Sequence, residues 1–234
     1  MHVLASVGWM SQAFALAALG VVAASTEDAA TRLAAVSMAH TLDGYLLAPM
    51  ANAAAFTGFV LSAATAWGYV RHWWVLTKFA LTLVQLYAGI FILSKALNEA
   101  LAAAQAGREL PSPMLQVVGA GLMGCGLAFQ AWLSVAKPGG KTRWARAGKP
   151  ATAPTWVFVG GALVPLTDLG IAIALGDPMP MLSLLFLAAV LVNRGHRRVR
   201  ASPRRPGSAC PGCGRSRARR SGRRRRGPRA RGSR

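Results

Sequence analysis

Acidic residues are scarce in this chain: seven Asp and Glu stand against 27 Lys and Arg in 234 residues. No Asp, Glu, Lys or Arg occurs in residues 2–26, 44–70 or 110–136. Stretches of that length without charge exclude an ordinary soluble domain, whose helices carry a polar face. Cysteine is equally sparse, with Cys125 in an apolar run and Cys210 and Cys213 near the end, so no disulfide framework fits. The first 26 residues hold no Lys or Arg. The charged n-region of a secretory signal is therefore missing, and the expectation is a span in its place. No GxGxxG, P-loop, HExxH or GxSxG motif stands in a usable context. The segments between apolar runs are the size of linkers, so no soluble catalytic domain is expected.

What is present is hydrocarbon. The chain is 53% hydrophobic, which suits an integral membrane protein. Each of the three charge-free stretches exceeds the ~20 residues needed to cross a bilayer as a helix. Residues 72–97 form a fourth run, interrupted only by Lys78 and Lys95. It opens on Arg71, His72, Trp73 and Trp74. Trp prefers the membrane–water boundary, and Arg and Lys near helix ends keep their charge among the headgroups. Residues 155–176 are apolar apart from Asp168, and residues 178–193 make a last, shorter run. The expected fold is all-α: a polytopic transmembrane helical bundle of about six spans, four of them carried by length alone. Its divisions are a four-helix transmembrane core (1–136), a basic cytoplasmic loop (137–154), a C-terminal transmembrane hairpin (155–193) and a disordered basic tail (194–234).

Charge location orders these spans. From Arg194 onward there are 17 Arg, no Lys and no acid, while residues 1–193 hold the other ten cations and all seven acids. Loops 26–43 and 98–113 and the turn at Asp177 are net acidic. Arg71, the group Lys137, Lys141, Arg143, Arg146 and Lys149, and the tail lie on the other side. With six spans every loop obeys the positive-inside rule, and both termini are cytoplasmic. Five spans would place the Arg-rich tail outside.

Polar residues recur at helical spacing within the spans. Gln116, Gly119, Met123, Gly126 and Gln130 share one face, and Lys78, Thr82, Gln85 and Gly89 share another. Small residues let backbones approach, and Gln bonds across helices, so these faces read first as seams of a bundle and second as a conduction path. Pro49 and Pro165 are expected to kink spans two and five.

The openings MHVLASVGWM and WGYVRHWWVLTKFALTL, with the pattern WG-x-x-R-H-W-W-V-x-x-K, resemble small actinobacterial integral-membrane proteins of unknown function. The resemblance covers roughly residues 1–100 and implies architecture without an activity. More distantly, the layout is similar to the copper-resistance D type of membrane domain, a helical bundle with histidines near helix ends.

Candidate chemistry rests on few residues. His2 and His72 open spans one and three at similar depth, and two such imidazoles are the axial ligands of a b-type haem or else simply interfacial. His40 and Asp43, at i and i+3, share a face, and Met38 lies nearby on the outer side. Imidazole with thioether suits Cu(I), though Met is also ordinary apolar filler. Lys78, Gln85 and Asp168 are the intramembrane polar residues. Asp168 lies ~20 Å along its span from Thr155 and Lys78 only ~9 Å from His72, which argues against direct pairing. Asp168 is then a proton carrier, a hydrogen-bonded group, or a capped polar group at the Pro165 break.

In the tail, Cys210 and Cys213 make half a zinc knuckle, two ligands short of a closed site. The Arg run suits anionic lipid rather than nucleic acid, and its composition also fits a frame-shifted end of a GC-rich gene. The expected function is that of a bacterial cytoplasmic-membrane protein without catalytic chemistry, either a structural or interaction component or a small-solute permease. No cofactor is predicted. The alternative is copper handling or haem-linked redox chemistry. Expected partners are the bilayer, anionic lipid, and further copies of the chain or other membrane proteins.

Overall fold

The computed structural model describes residues 1–65, 67–145, 153–175 and 181–200. Six helices carry them: α1 (His2–Ser25), α2 (Ala29–Ala64), α3 (Trp73–Gln105), α4 (Pro113–Ala136), α5 (Thr155–Leu175) and α6 (Met181–Arg200). No strand occurs among the described residues, and the chain is an all-α bundle. Helices α1 to α4 are each long and apolar enough to cross a membrane. Helices α5 and α6 carry shorter apolar segments, Thr155–Ile171 and Met181–Asn193. Helix α6 continues to Arg200, so the helix extends past the boundary at 194 expected for the tail. Residues 201–234, Arg146, Lys149 and Asp177 lie outside the described residues.

Two loops expected from charge turn out to be partly helix. Residues 26–43 contain only a three-residue turn, because Asp28 starts α2 as its cap. Its carboxylate accepts the Thr31 backbone N–H at 2.8 Å and the Thr31 hydroxyl at 2.6 Å. Those bonds, the hydroxyl's first, hold the Asp28 carboxyl below its usual range. At the other end of the same side, α3 runs on to Gln105. Helices α2 and α3 thus have 36 and 33 residues, about 54 and 50 Å at 1.5 Å per residue, well beyond the ~30 Å hydrocarbon core. Charge marked where the chain becomes polar, which is about two turns (α3) and four turns (α2) before these helices end.

Both long helices widen into a π-turn near the level where they leave the apolar run, at Asp43–Leu47 in α2 and Ala88–Leu93 in α3. In α2 the cause is Pro49. It has no N–H to give the Tyr45 carbonyl, and its ring crowds that carbonyl. The Ala48 N–H bonds back to Asp43 instead, five residues earlier. The two π-turns are joined where the Ser94 hydroxyl donates to Asp43 Oδ2 at 3.2 Å.

The packing is small inside and bulky outside. Of the buried hydrophobic residues, 13 are alanine, among them Ala5, Ala13, Ala39, Ala54 and Ala100. Facing outward are Leu4 (73% exposed), Tyr45 (72%), Leu122 (67%) and Phe91 (61%). Water would penalise such a surface. Lipid does not, and small residues inside let helices close up through dispersion contacts and interhelical hydrogen bonds. This inversion is the structural mark of a membrane protein.

Helix α1 packs along α4 and α2, and α3 closes the four-helix ring. One core cluster joins Leu16, Ala23, Val36, Leu97 and Ala120 at the end where α1 finishes. A second surrounds Trp9, Ala51, Met123 and Leu127 at mid-height. Helices α5 and α6 lie against α2 through Phe56, Val60, Val157, Phe186 and Val190. The α3–α4 seam is polar: Thr82 donates to Gln130 Oε1 at 3.0 Å, Gln130 Nε2 donates to Gln85 Oε1, and Gln85 Nε2 donates to the Met123 carbonyl at 2.9 Å. Both polar stripes of the sequence meet here. A Cβ on Gly126 would fall 2.6 Å from Gln85 Nε2. We expect Gly126→Ala to push that amide out of its bonds and lower stability by about 1–2 kcal/mol, read as a lower melting temperature in detergent. An unchanged melting temperature would show that the seam tolerates the displacement.

Candidate functional site

Helices α2 and α3 meet most extensively through their extensions beyond the π-turns and part toward their other ends. Between α1, α2, α3 and α4, at the end carrying Arg71, Lys137, Lys141 and Arg143, lies a cavity of about 580 Å³. That is in the range of small-molecule pockets, about 300–1,000 Å³. The opening turn of α1 supplies His2 and Ser6, and α2 supplies Gly58 and Ser62. Helix α3 supplies Trp74, Lys78 and Thr82, and α4 supplies Leu127, Gln130 and Ser134. The far end is closed by the cluster around Trp9 and Ala13, which are 3% and 1% exposed.

The polar atoms of the cavity are held in place. His2 Nδ1 and Thr57 Oγ1 are 3.0 Å apart, and the Thr57 hydroxyl also reaches the Ala53 carbonyl at 2.6 Å. Lys78 Nζ donates to Ser134 Oγ at 2.6 Å, and that hydroxyl donates to the Gln130 carbonyl at 3.0 Å. Lys78 has no acid beside it. Among the described residues the ion pair found is Lys95 with Glu99, at 4.0 Å on an exposed surface. No Asp or Glu lines the cavity.

Its mouth is a structured cap. Tyr69 donates to the Phe59 carbonyl at 2.6 Å, the Thr142 N–H to the Arg71 carbonyl at 2.9 Å, and the Thr142 hydroxyl to the Val70 carbonyl. His72 and Lys141 form an isolated β-bridge. Trp67 lines the cavity with its ring edge-on to His72 and Trp74 and with Lys137 Nζ 5.6 Å from its centroid. Burial, and then the charges of Arg71 and Lys141, hold the His72 imidazole below its ordinary value.

The residues singled out in the sequence fall into separate places. His2 and Lys78 share the cavity; His72 sits in the cap against Trp67, with partners of its own. His40 and Asp43 both face α3, where His40 Nε2 lies 2.9 Å from Asn98 Oδ1 and Asp43 accepts from Ser94. Met38 points away and is 61% exposed. Met114 and Met181 are likewise exposed. Among the described residues no group of three or more His, Cys, Asp or Glu is placed to hold a metal ion. Cys125 is exposed, and Cys210 and Cys213 lie outside the described residues.

Gln85 belongs to the α3–α4 seam, one turn above the cavity. Asp168 belongs to neither. Buried at 8% exposure, it accepts the backbone N–H groups of Leu182 at 3.1 Å and Ser183 at 2.8 Å. It is the N-terminal cap of α6, supplied from α5. Sequence reasoning missed Ser134 and Thr57, whose hydroxyls position Lys78 and His2. Ser134 lies one turn beyond Gln130 on the same face, and that spacing was the available signal. No family model, curated protein or solved structure matches the chain.

Proposed function

We propose that the protein is a multi-pass protein of the cytoplasmic membrane that binds a small solute in the cavity between α1 and α4, as the inward-open state of a small-solute permease. The observation that carries this reading is the cavity itself. It is large enough for a small organic molecule, open at the cation-rich end and closed at the other. The positive-inside rule assigns the cation-rich end, and with it both termini, to the cytoplasm.

Single-cysteine labelling tests this. With the native cysteines replaced, Ser6→Cys places a thiol on the cavity wall. An impermeant maleimide should label it in inside-out vesicles and not in right-side-out ones. Labelling only in right-side-out vesicles would invert the topology. Labelling from neither side would show that the cavity is closed to water and sink the solute-binding reading.

A further inference from the structure

We infer that the cavity takes an amphipathic monoanion, a carboxylate joined to an apolar chain or ring, with its head on Lys78. This rests on the cavity being a solute site. Lys78 sits one and a half turns inside α3, past the Trp73–Trp74 anchor. Its visible partner is the neutral Ser134 hydroxyl. A cation at that depth is costly without an anion, and no carboxylate of the described chain supplies one. An anionic ligand completes the pair.

The donors around it match one carboxylate. The Lys78 ammonium gives one N–H to Ser134 and keeps two for a ligand, a point charge held in place by that hydroxyl, and no arginine fork lines the cavity. One cation balances one negative charge; a phosphate dianion would bring a second charge into a largely apolar site whose lining holds no second Lys or Arg. The remaining wall, Val3, Val7, Phe79, Leu127 and Val135, is hydrocarbon and suits the tail. At the mouth, Lys137 over Trp67 adds a positive field that draws anions toward the opening. A neutral solute leaves the charge unmatched, and a cationic one is repelled.

The experiment is calorimetric titration of the full chain in phosphatidylcholine nanodiscs with octanoate, octan-1-ol and octylamine. Octanoate should bind at least about tenfold more tightly than octanol, and octylamine not at all. Lys78→Met should remove that preference and leave octanol binding intact, and Lys78→Arg should keep it. Ser134→Ala is a second, milder variant expected to weaken octanoate alone. Equal affinity for octanoate and octanol, or octanoate binding untouched by Lys78→Met, would overturn the monoanion and leave the cavity reading standing. Binding of none of the three would overturn both. Competition against bound octanoate separates the sources. Displacement by oleate built into the bilayer assigns a lipid-borne carboxylate, and displacement by benzoate added to the water assigns a dissolved one. Both results uphold the inference.

Discussion

Asp168→Leu should lower the thermal stability of the protein in detergent, by roughly 2–4 kcal/mol. The carboxylate accepts two backbone N–H groups at the start of α6, Leu182 and Ser183. The first N–H groups of a helix have no intrahelical partner, and the macrodipole concentrates positive charge there. Leucine leaves both donors without an acceptor in a dry place, and each such group costs about 1–3 kcal/mol. Asp168→Asn keeps one good acceptor and loses the charge, so about half the effect is expected. Neither variant should change octanoate binding, because Asp168 does not line the cavity. A leucine variant more stable than the parent would show that the cap is not used. Loss of solute binding in the asparagine variant, with stability preserved, would return Asp168 to a proton-carrying role.

Gln130→Leu should be the most damaging single change within the four-helix ring, at about 2–3 kcal/mol. Gln130 accepts from Thr82 and donates to Gln85, and its own residue is 6% exposed. Removing it orphans Gln85 Oε1 and the Thr82 hydroxyl together. The double variant Gln85→Leu, Gln130→Leu replaces both partners with hydrocarbon and should cost less than the sum of the two singles. Additive losses would mean that the amides bond independently and that the seam is held by packing alone. The measurement is a double-mutant cycle of melting temperatures. It bears on function because Thr82 and Gln130 are also cavity wall.

Much of the architecture was legible along the chain. The apolar runs exceed the bilayer thickness, and a helix that satisfies its own backbone is the form such a run takes in lipid. The facing polar stripes on α3 and α4 were legible because helical period places i, i+4 and i+7 on one side. The lengths of α2 and α3 were not. Their outer turns carry Asp28, Arg32, Lys95 and Glu99, and charge alone does not distinguish a polar loop from a helix that has left the membrane.

The candidate site was less legible still. Lys78 and His2 stood out as polar residues in apolar surroundings, yet nothing in their spacing indicated that α2 and α3 part at that end. His2 was paired in sequence with His72, and His40 with Met38; each pairing followed position along a helix. Direction around the helix is a separate constraint. Met38 and His40 are two residues apart, about 200° around the axis, and so lie on nearly opposite sides. Asp168 shows the same division. Sequence alone determined that a carboxyl sits within an apolar run. Only the tertiary structure decided that the start of α6 lies against it, because a cap supplied from another helix depends on the packing of α5 on α6 and leaves no local pattern. What the chain determined by itself is which segments prefer lipid, a property of each segment's own surface. What the fold decided is which cations lack a counter-charge and where space remains, and both depend on residues far apart in sequence.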